Sequence, residues 1–333
     1  MSRTPAVFAL LVIALPIAAQ TKILVAKSRT SVSVAADCGT IAFPTACDER
    51  GRLYVKQLHQ DLECPLFRLS SKGAVEAKFD TNGEVLNLYA PRPDGGVIMA
   101  HVGGKVLYID NFAPDGTRET SVTLERPTPF FPKQLAVFRS GEILVSGSQY
   151  QFGYKAATAI YSSTGHLVKQ LVLDGDVETE RAIEGAGPLA TSAQRQVTPA
   201  INRSVAIAGD DGLVYLMRAT SPVVVYAISP AGEVVRKLVV KAPGDKGTPD
   251  FGIRVAKNKL TIQFSRSCDG SGETGLWCSS AYAVVDATTG QRIADYETNK
   301  ETDGVMACYA PDPDRFFIYS GPHVFDFVEA EPK

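Results

Sequence analysis

The sequence predicts an all-β chain, a six-bladed β-propeller whose ring is closed by an N-terminal strand. Three observations predict it. Short strands rich in Val, Ile, Leu, Tyr and Phe recur along the chain, joined by Gly or Asp-Gly turns at matching offsets. Helical periodicity is weak, and only residues 177–186 suggest a short helix, inside an unusually long connection. The last repeat stops one strand short, which a strand from the start of the chain can complete.

The clearest repeat is 134–174. It reads as strands at 134–138, 142–146, 156–162 and 167–173, with tight turns at 139–141 and 163–165. Strand, turn, strand, longer loop, strand, turn, strand is one propeller blade. The first blade is expected at 41–46, 52–57, 66–70 and 74–79, and the second at 85–90, 97–101, 105–112 and 117–124. The fourth covers 204–208, 213–218, 223–229 and 233–240, and the fifth 252–256, 259–265, 281–286 and 292–296. The sixth has only 305–310, 315–319 and 324–328, so its outer strand is expected from 23–26 or 31–35. A sandwich of unrelated hairpins, or two small β domains, is the competing architecture.

The chain has 333 residues, 45% hydrophobic and 21% charged, with a net charge of −2. That is an ordinary globular composition, and neither nucleic acid nor an anionic membrane is an expected partner. Arg3, then the apolar run 5–19 ending in small residues, has the layout of a secretory signal. Residues 1–19 are therefore expected to be removed, leaving a single propeller domain at 20–333, secreted or periplasmic, with no stable membrane insertion and a monomeric state. Six cysteines are expected in disulfides: Cys268 and Cys278 bracket one loop and are expected to bridge it, while Cys38, Cys47, Cys64 and Cys308 leave three pairings open.

In such a blade the first and third turns lie on one face, and the middle loops and blade-to-blade links on the other. The first set is short throughout; the second is long and uneven, for example 147–155, 175–202 and 266–280. Variable loops on a rigid scaffold carry binding sites, so a site is expected on the long-loop face around the central channel. Candidate ligand contacts are Tyr150, Tyr154, His101, Arg218, Arg266 and Trp277, of the aromatic and arginine types that dominate interfaces. Each also has a plain packing role available, and His101 reads better as a structural residue than as a base. No catalytic motif occurs, and the formal G-x-G-x-x-G at 270–275 lacks the helix that motif needs. Asp269, Ser271 and Glu273 alternate like calcium ligands but stop short of the 12-residue loop, so no cofactor is expected and calcium is the one candidate.

Two blades carry a family pattern. Gly51-Arg52-Leu53-Tyr54-Val55 and Gly212-Leu213-Val214-Tyr215-Leu216, with the strand-turn-strand segments that follow, resemble blades of NHL-like six-bladed secreted bacterial propellers. The chain lacks the regular proline before each inner strand and the Asp after the second strand of that pattern. The resemblance implies a superfamily that includes binding scaffolds, lactonases and lyases, so it does not carry one function. The expectation is an exported module that binds a protein, peptide or glycan. The alternative is a metal-dependent, lactonase-like hydrolase or lyase with a cation in the channel, held by residues such as Asn202, Asp250 and Asp303.

Overall fold

A computed structural model of the chain describes residues 21–32, 40–41, 45–58, 64–80, 85–103, 106–125, 130–149, 156–174, 176, 201, 203–266, 279–319 and 325–333. The fold is an all-β propeller. Strand β1 (Thr21–Val32) opens the described chain. The first sheet holds β2 (Thr40–Ile41), β3 (Ala46–Cys47), β4 (Leu53–Leu58), β5 (Leu66–Leu69) and β6 (Val75–Phe79). Three four-stranded antiparallel meanders follow. They are β7 (Val85–Pro91) to β10 (Arg118–Thr123), with β8 (Val97–Gly103) and β9 (Val106–Phe112) between. Next come β11 (Phe131–Val137), β12 (Ile143–Ser148), β13 (Ala156–Tyr161) and β14 (Leu167–Leu171). The third is β15 (Val205–Ala208), β16 (Val214–Arg218), β17 (Val223–Ile228) and β18 (Val234–Val240).

The remaining strands form one eight-stranded sheet. It contains β19 (Thr248–Ala256), β20 (Lys259–Ser265), β21 (Ser280–Asp286) and β22 (Arg292–Glu297) on one side. On the other are β23 (Val305–Pro311), β24 (Asp314–Tyr319) and β25 (Phe325–Pro332). β1 joins the halves. Its first residues run parallel to β22, with Thr21 opposite Asp295, and the rest run antiparallel to β25, from Leu24 opposite Pro332 to Val32 opposite Phe325. Both N-terminal strands read from the sequence fall on β1 as far as residue 32, with 33–35 outside the described residues, and β1 pairs with β25.

The turns explain the repeat. In eight of them a glycine amide donates to the carbonyl three residues back, and that residue's amide donates to the carbonyl just past the glycine. Gly165 N donates to Ser162 O at 3.0 Å and Ser162 N to His166 O at 2.9 Å; the turns at Gly51, Gly73, Gly95, Gly116, Gly141, Gly212 and Gly232 repeat the pattern. The geometry needs positive φ, which Gly165 supplies at 88°. The tyrosine of the family pattern also has a physical role. Tyr54 and Tyr215 are wholly buried, and their hydroxyls donate to the turn carboxylates Asp48 and Asp211, at 3.1 and 2.8 Å.

Burial is greatest in the middle strands of each sheet and least at its outer edge. Every residue of β12 and β16 is buried, whereas five of six in the outer strand β10 are exposed. Strands covered on both faces read as continuous apolar runs, and half-covered ones alternate. The core is divided into wedges between neighbouring sheets. Tyr54 and Phe79 meet Val97 and Phe112; Ile98 and Ile109 meet Leu135 and Val145; Leu144 and Ile160 meet Leu216 and Ile228. Met217 and Val225 meet Ile262 and Phe264, and Tyr282 and Tyr296 meet Phe316 and Ile318 across the two halves of the long sheet. Leu53 and Phe67 meet Ala307 and Phe317, returning the series to its start. At that last wedge Cys47 and Cys308 form a disulfide across 261 residues, which selects one pairing left open by the sequence. Cys64 is buried; Cys38, Cys268 and Cys278 lie outside the described residues.

Candidate functional site

The strands nearest the axis, β3, β7, β11, β15, β19 and β23, surround a central channel of about 470 Å³. That volume lies in the range of small-molecule sites. One end is set by Thr45 and Ser204, which just precede β3 and β15, and by Lys133 and Gln134 within β11. The other is set by the short turns that leave them, at Asp48–Gly51, Arg92–Pro93, Asp210, Lys257 and Pro311. The lining takes only the later part of the long inner strands, from Leu88 in β7, Lys133 in β11, Arg254 in β19 and Cys308 in β23, so the channel lies towards the short-turn face.

The wall is largely apolar, with Leu88, Val137, Val205, Ile207 and Val255 among its residues. Arg254 interrupts it. This residue of β19 is 4% exposed. Its side chain crosses from β19 past β23 towards β3: Nε donates to Ala307 O at 3.1 Å, Nη2 to Ala307 O and to Thr45 O at 2.7 Å, and Nη1 to Ile253 O. Burial draws its pKa down to about 10, offset in part by the nearby Tyr89, so the guanidinium remains charged at neutral pH. Burial raises the Tyr89 phenol above its ordinary value, keeping that group neutral. Two further polar atoms of lining residues, Thr45 Oγ1 and Gln134 Oε1, are buried without a hydrogen-bond partner. Buried polar atoms are normally paired, so their absence of partners marks a place for one.

The residues expected from the sequence are placed elsewhere or undescribed. His101, on β8, stacks on Tyr108 with ring centroids 4.8 Å apart, and its Nδ1 is 3.1 Å from Asp110 Oδ2. Arg218, at the end of β16, is 3% exposed and donates to both oxygens of Asp176, at 3.0 and 3.1 Å, and to Thr158 Oγ1 at 3.1 Å. Arg266 pairs with Glu297 at 2.6 Å. His101 and Arg218 sit on different sheets, Arg266 follows β20 of a third, and none lines the channel. Tyr150, Tyr154 and Trp277 lie outside the described residues, as do Asn202 and the calcium-like loop 268–278. Asp250 accepts from Ser265 Oγ at 2.7 Å. Burial raises the Asp303 carboxyl, against hydrogen bonds from the Gly304 and Ser280 amides and Thr298. Among the described residues, no three His, Cys, Asp or Glu side chains gather as a metal site would require.

Arg254 is the residue sequence reading missed. Its only signal was a lone cation in the apolar stretch Gly252-Ile253-Arg254-Val255-Ala256. A charge inside an inner strand is costly unless it is paired or hydrogen-bonded.

No protein-family model and no curated protein matches the chain. Among solved structures it is similar to a gluconolactonase from Xanthomonas campestris, with a TM-score of 0.51 and 14% identity over 96% of this chain and 99% of that one. It also matches a protein of unknown function from Bacteroides caccae (TM-score 0.46, 12% identity, 79% of this chain and 83% of that). A puromycin hydrolase structure matches with a TM-score of 0.46 at 17% identity, over 86% of this chain and 43% of that one. At such identities the likeness to the gluconolactonase is one of fold, and the chain is a β-propeller that resembles that enzyme's architecture.

Proposed function

We propose that the chain is an exported six-bladed propeller that acts as a binding module, with a small-molecule site in its central channel. Six blades follow if the eight-stranded sheet counts as two, with β1 as the outer strand of the last. The cyclic series of apolar wedges supports this count, because one wedge lies between the halves of that sheet. Export is supported by the signal-like residues 1–19 and by the Cys47–Cys308 disulfide, a bond that persists in oxidising compartments. The observation that carries the binding role is a channel of ligand size whose wall holds buried polar atoms lacking partners. Catalysis would need a reacting constellation in the same space, and the wall is mainly aliphatic.

The test is a thermal-shift screen of the purified chain against a metabolite panel, repeated with Ala208→Trp. Ala208 ends β15, lines the channel and is exposed, so an indole there narrows the lumen without entering the core. A compound that raises the Tm of the wild type and not of Ala208→Trp is the expected result. If every stabilising compound acted equally on both, the channel would not be the site. A second reading, a cation-dependent hydrolase, has one observation in its favour. The carboxylates of Asp250 and Asp303 both raise the pKa of the buried Tyr282 phenol, behind burial itself.

A further inference from the structure

We propose that the channel ligand is a small organic monocarboxylate with an apolar body, drawn in and oriented by Arg254. This rests on the channel being the binding site. All acceptors of Arg254 are neutral backbone carbonyls, and no carboxylate pairs with it among the described residues. A buried cation is stable in proteins when an anion or a full set of hydrogen bonds compensates it. Here the set is one short. A guanidinium has five N–H donors. Nε gives one bond, Nη2 two and Nη1 one, which leaves a single Nη1 hydrogen. Thr45 carries a second free donor: its carbonyl accepts from Arg254 Nη2 at 2.7 Å while its buried hydroxyl has no partner. Two separate single donors suit the two oxygens of a carboxylate.

Most charged side chains of the lining are paired: Asp48 with Arg52, Glu49 with Arg139, Arg92 with Asp94 and Glu119, and Lys257 with Asp312. Removing those pairs leaves Arg50, Lys133 and Arg254 against Asp210 alone, which accepts from the Lys257 amide at 2.7 Å. The channel is thus positive in a chain whose net charge is −2, and a positive cleft with low-dielectric walls attracts anions. The aliphatic side chains between the two ends offer nothing to a polyol or a multiply charged phosphate, and they fit an apolar body.

The experiment is isothermal titration of the full chain with octanoate, octanamide and inorganic phosphate, at low and high salt. Octanoate is expected to bind at least tenfold tighter than octanamide, with the difference shrinking in high salt, and phosphate is expected not to bind. Arg254→Gln is expected to abolish the preference for octanoate, and Arg254→Lys to retain part of it. Because Arg254 also ties three strands, Lys133→Gln serves as a variant outside the core and is expected to weaken octanoate two- to threefold with octanamide unchanged. Equal binding of octanoate and octanamide, both blocked by Ala208→Trp, would overturn the carboxylate assignment and leave the channel reading intact. Phosphate competing with octanoate would also overturn it. Binding by neither organic probe overturns the carboxylate assignment, and the channel reading then stands or falls on the wider metabolite screen.

Discussion

The spacing between blades is expected to depend on the turn glycines, and two of them separate the possible causes. Gly165 and Gly212 have nearly the same backbone, with φ of 88° and 83°. Their surroundings differ. A methyl on Gly212 meets nothing within 4 Å, whereas one on Gly165 would sit 2.2 Å from Thr123 O, on the outer strand of the preceding sheet. The strand end there also grips the turn: Glu125 N donates to Gly165 O at 3.0 Å, and the Glu125 carboxylate receives Leu167 N at 3.0 Å and contacts His166 Nδ1 at 2.6 Å. Alanine at either position incurs left-handed strain of roughly 1–2 kcal/mol, offset by about 0.4–1 kcal/mol from a stiffer unfolded chain. Gly212→Ala should therefore cost about 0.5–1 kcal/mol. Gly165→Ala adds displacement of packed backbone, worth about 1–3 kcal/mol. Equilibrium guanidinium unfolding of both variants and the wild type measures the difference. Equal destabilisation would refute the idea that this turn sets the distance between blades.

Three other outcomes are expected. Asp314 is pushed up by burial, but hydrogen bonds from Lys259, Tyr296 and Tyr309 prevail and hold its carboxyl below the ordinary value. Its contribution is therefore present above about pH 4 and lost as pH falls through the folded value; Asp314→Asn should cost about 2–4 kcal/mol at pH 7, with the gap to wild type closing in acid urea melts. Cys47→Ala/Cys308→Ala releases a loop closed over 261 residues, and chain entropy predicts a loss of about 5–6 kcal/mol, read from the unfolding midpoints of oxidised protein. Calcium and zinc should leave the Tm of the purified chain unchanged; a rise that grows with concentration would favour the cation-dependent hydrolase.

The strands were legible because glycine punctuates each turn and the apolar runs between turns are short. The completing role of the N-terminal strand was legible too, since the last repeat lacks one member. The site was not. Arg254 acquires its meaning from Thr45 and Ala307, residues 209 and 53 positions away, and no local pattern reports which carbonyls face each other across a ring. The Cys47–Cys308 pairing was one of three for the same reason. Arg218 looked like an exposed contact because it ends a strand; its partner Asp176 lies 42 residues earlier, in a link whose path the sequence does not reveal.

The position of β1 has a consequence in time. Its partners in β22 and β25 are encoded some 270 to 310 residues later, since Thr21 lies opposite Asp295 and Leu24 opposite Pro332. At a synthesis rate of about 5–20 residues per second, the strand exists for roughly 15–60 s before they do. During that interval it is an unpaired β-segment, the kind that recruits strangers. Its sequence, Thr-Lys-Ile-Leu-Val-Ala-Lys-Ser-Arg-Thr-Ser-Val, brackets the short apolar run with Lys22 and Lys27 and adds Arg29 beyond it, the charges that discourage such pairing. The strand that joins the two ends of the chain is also the one a growing chain must keep soluble longest.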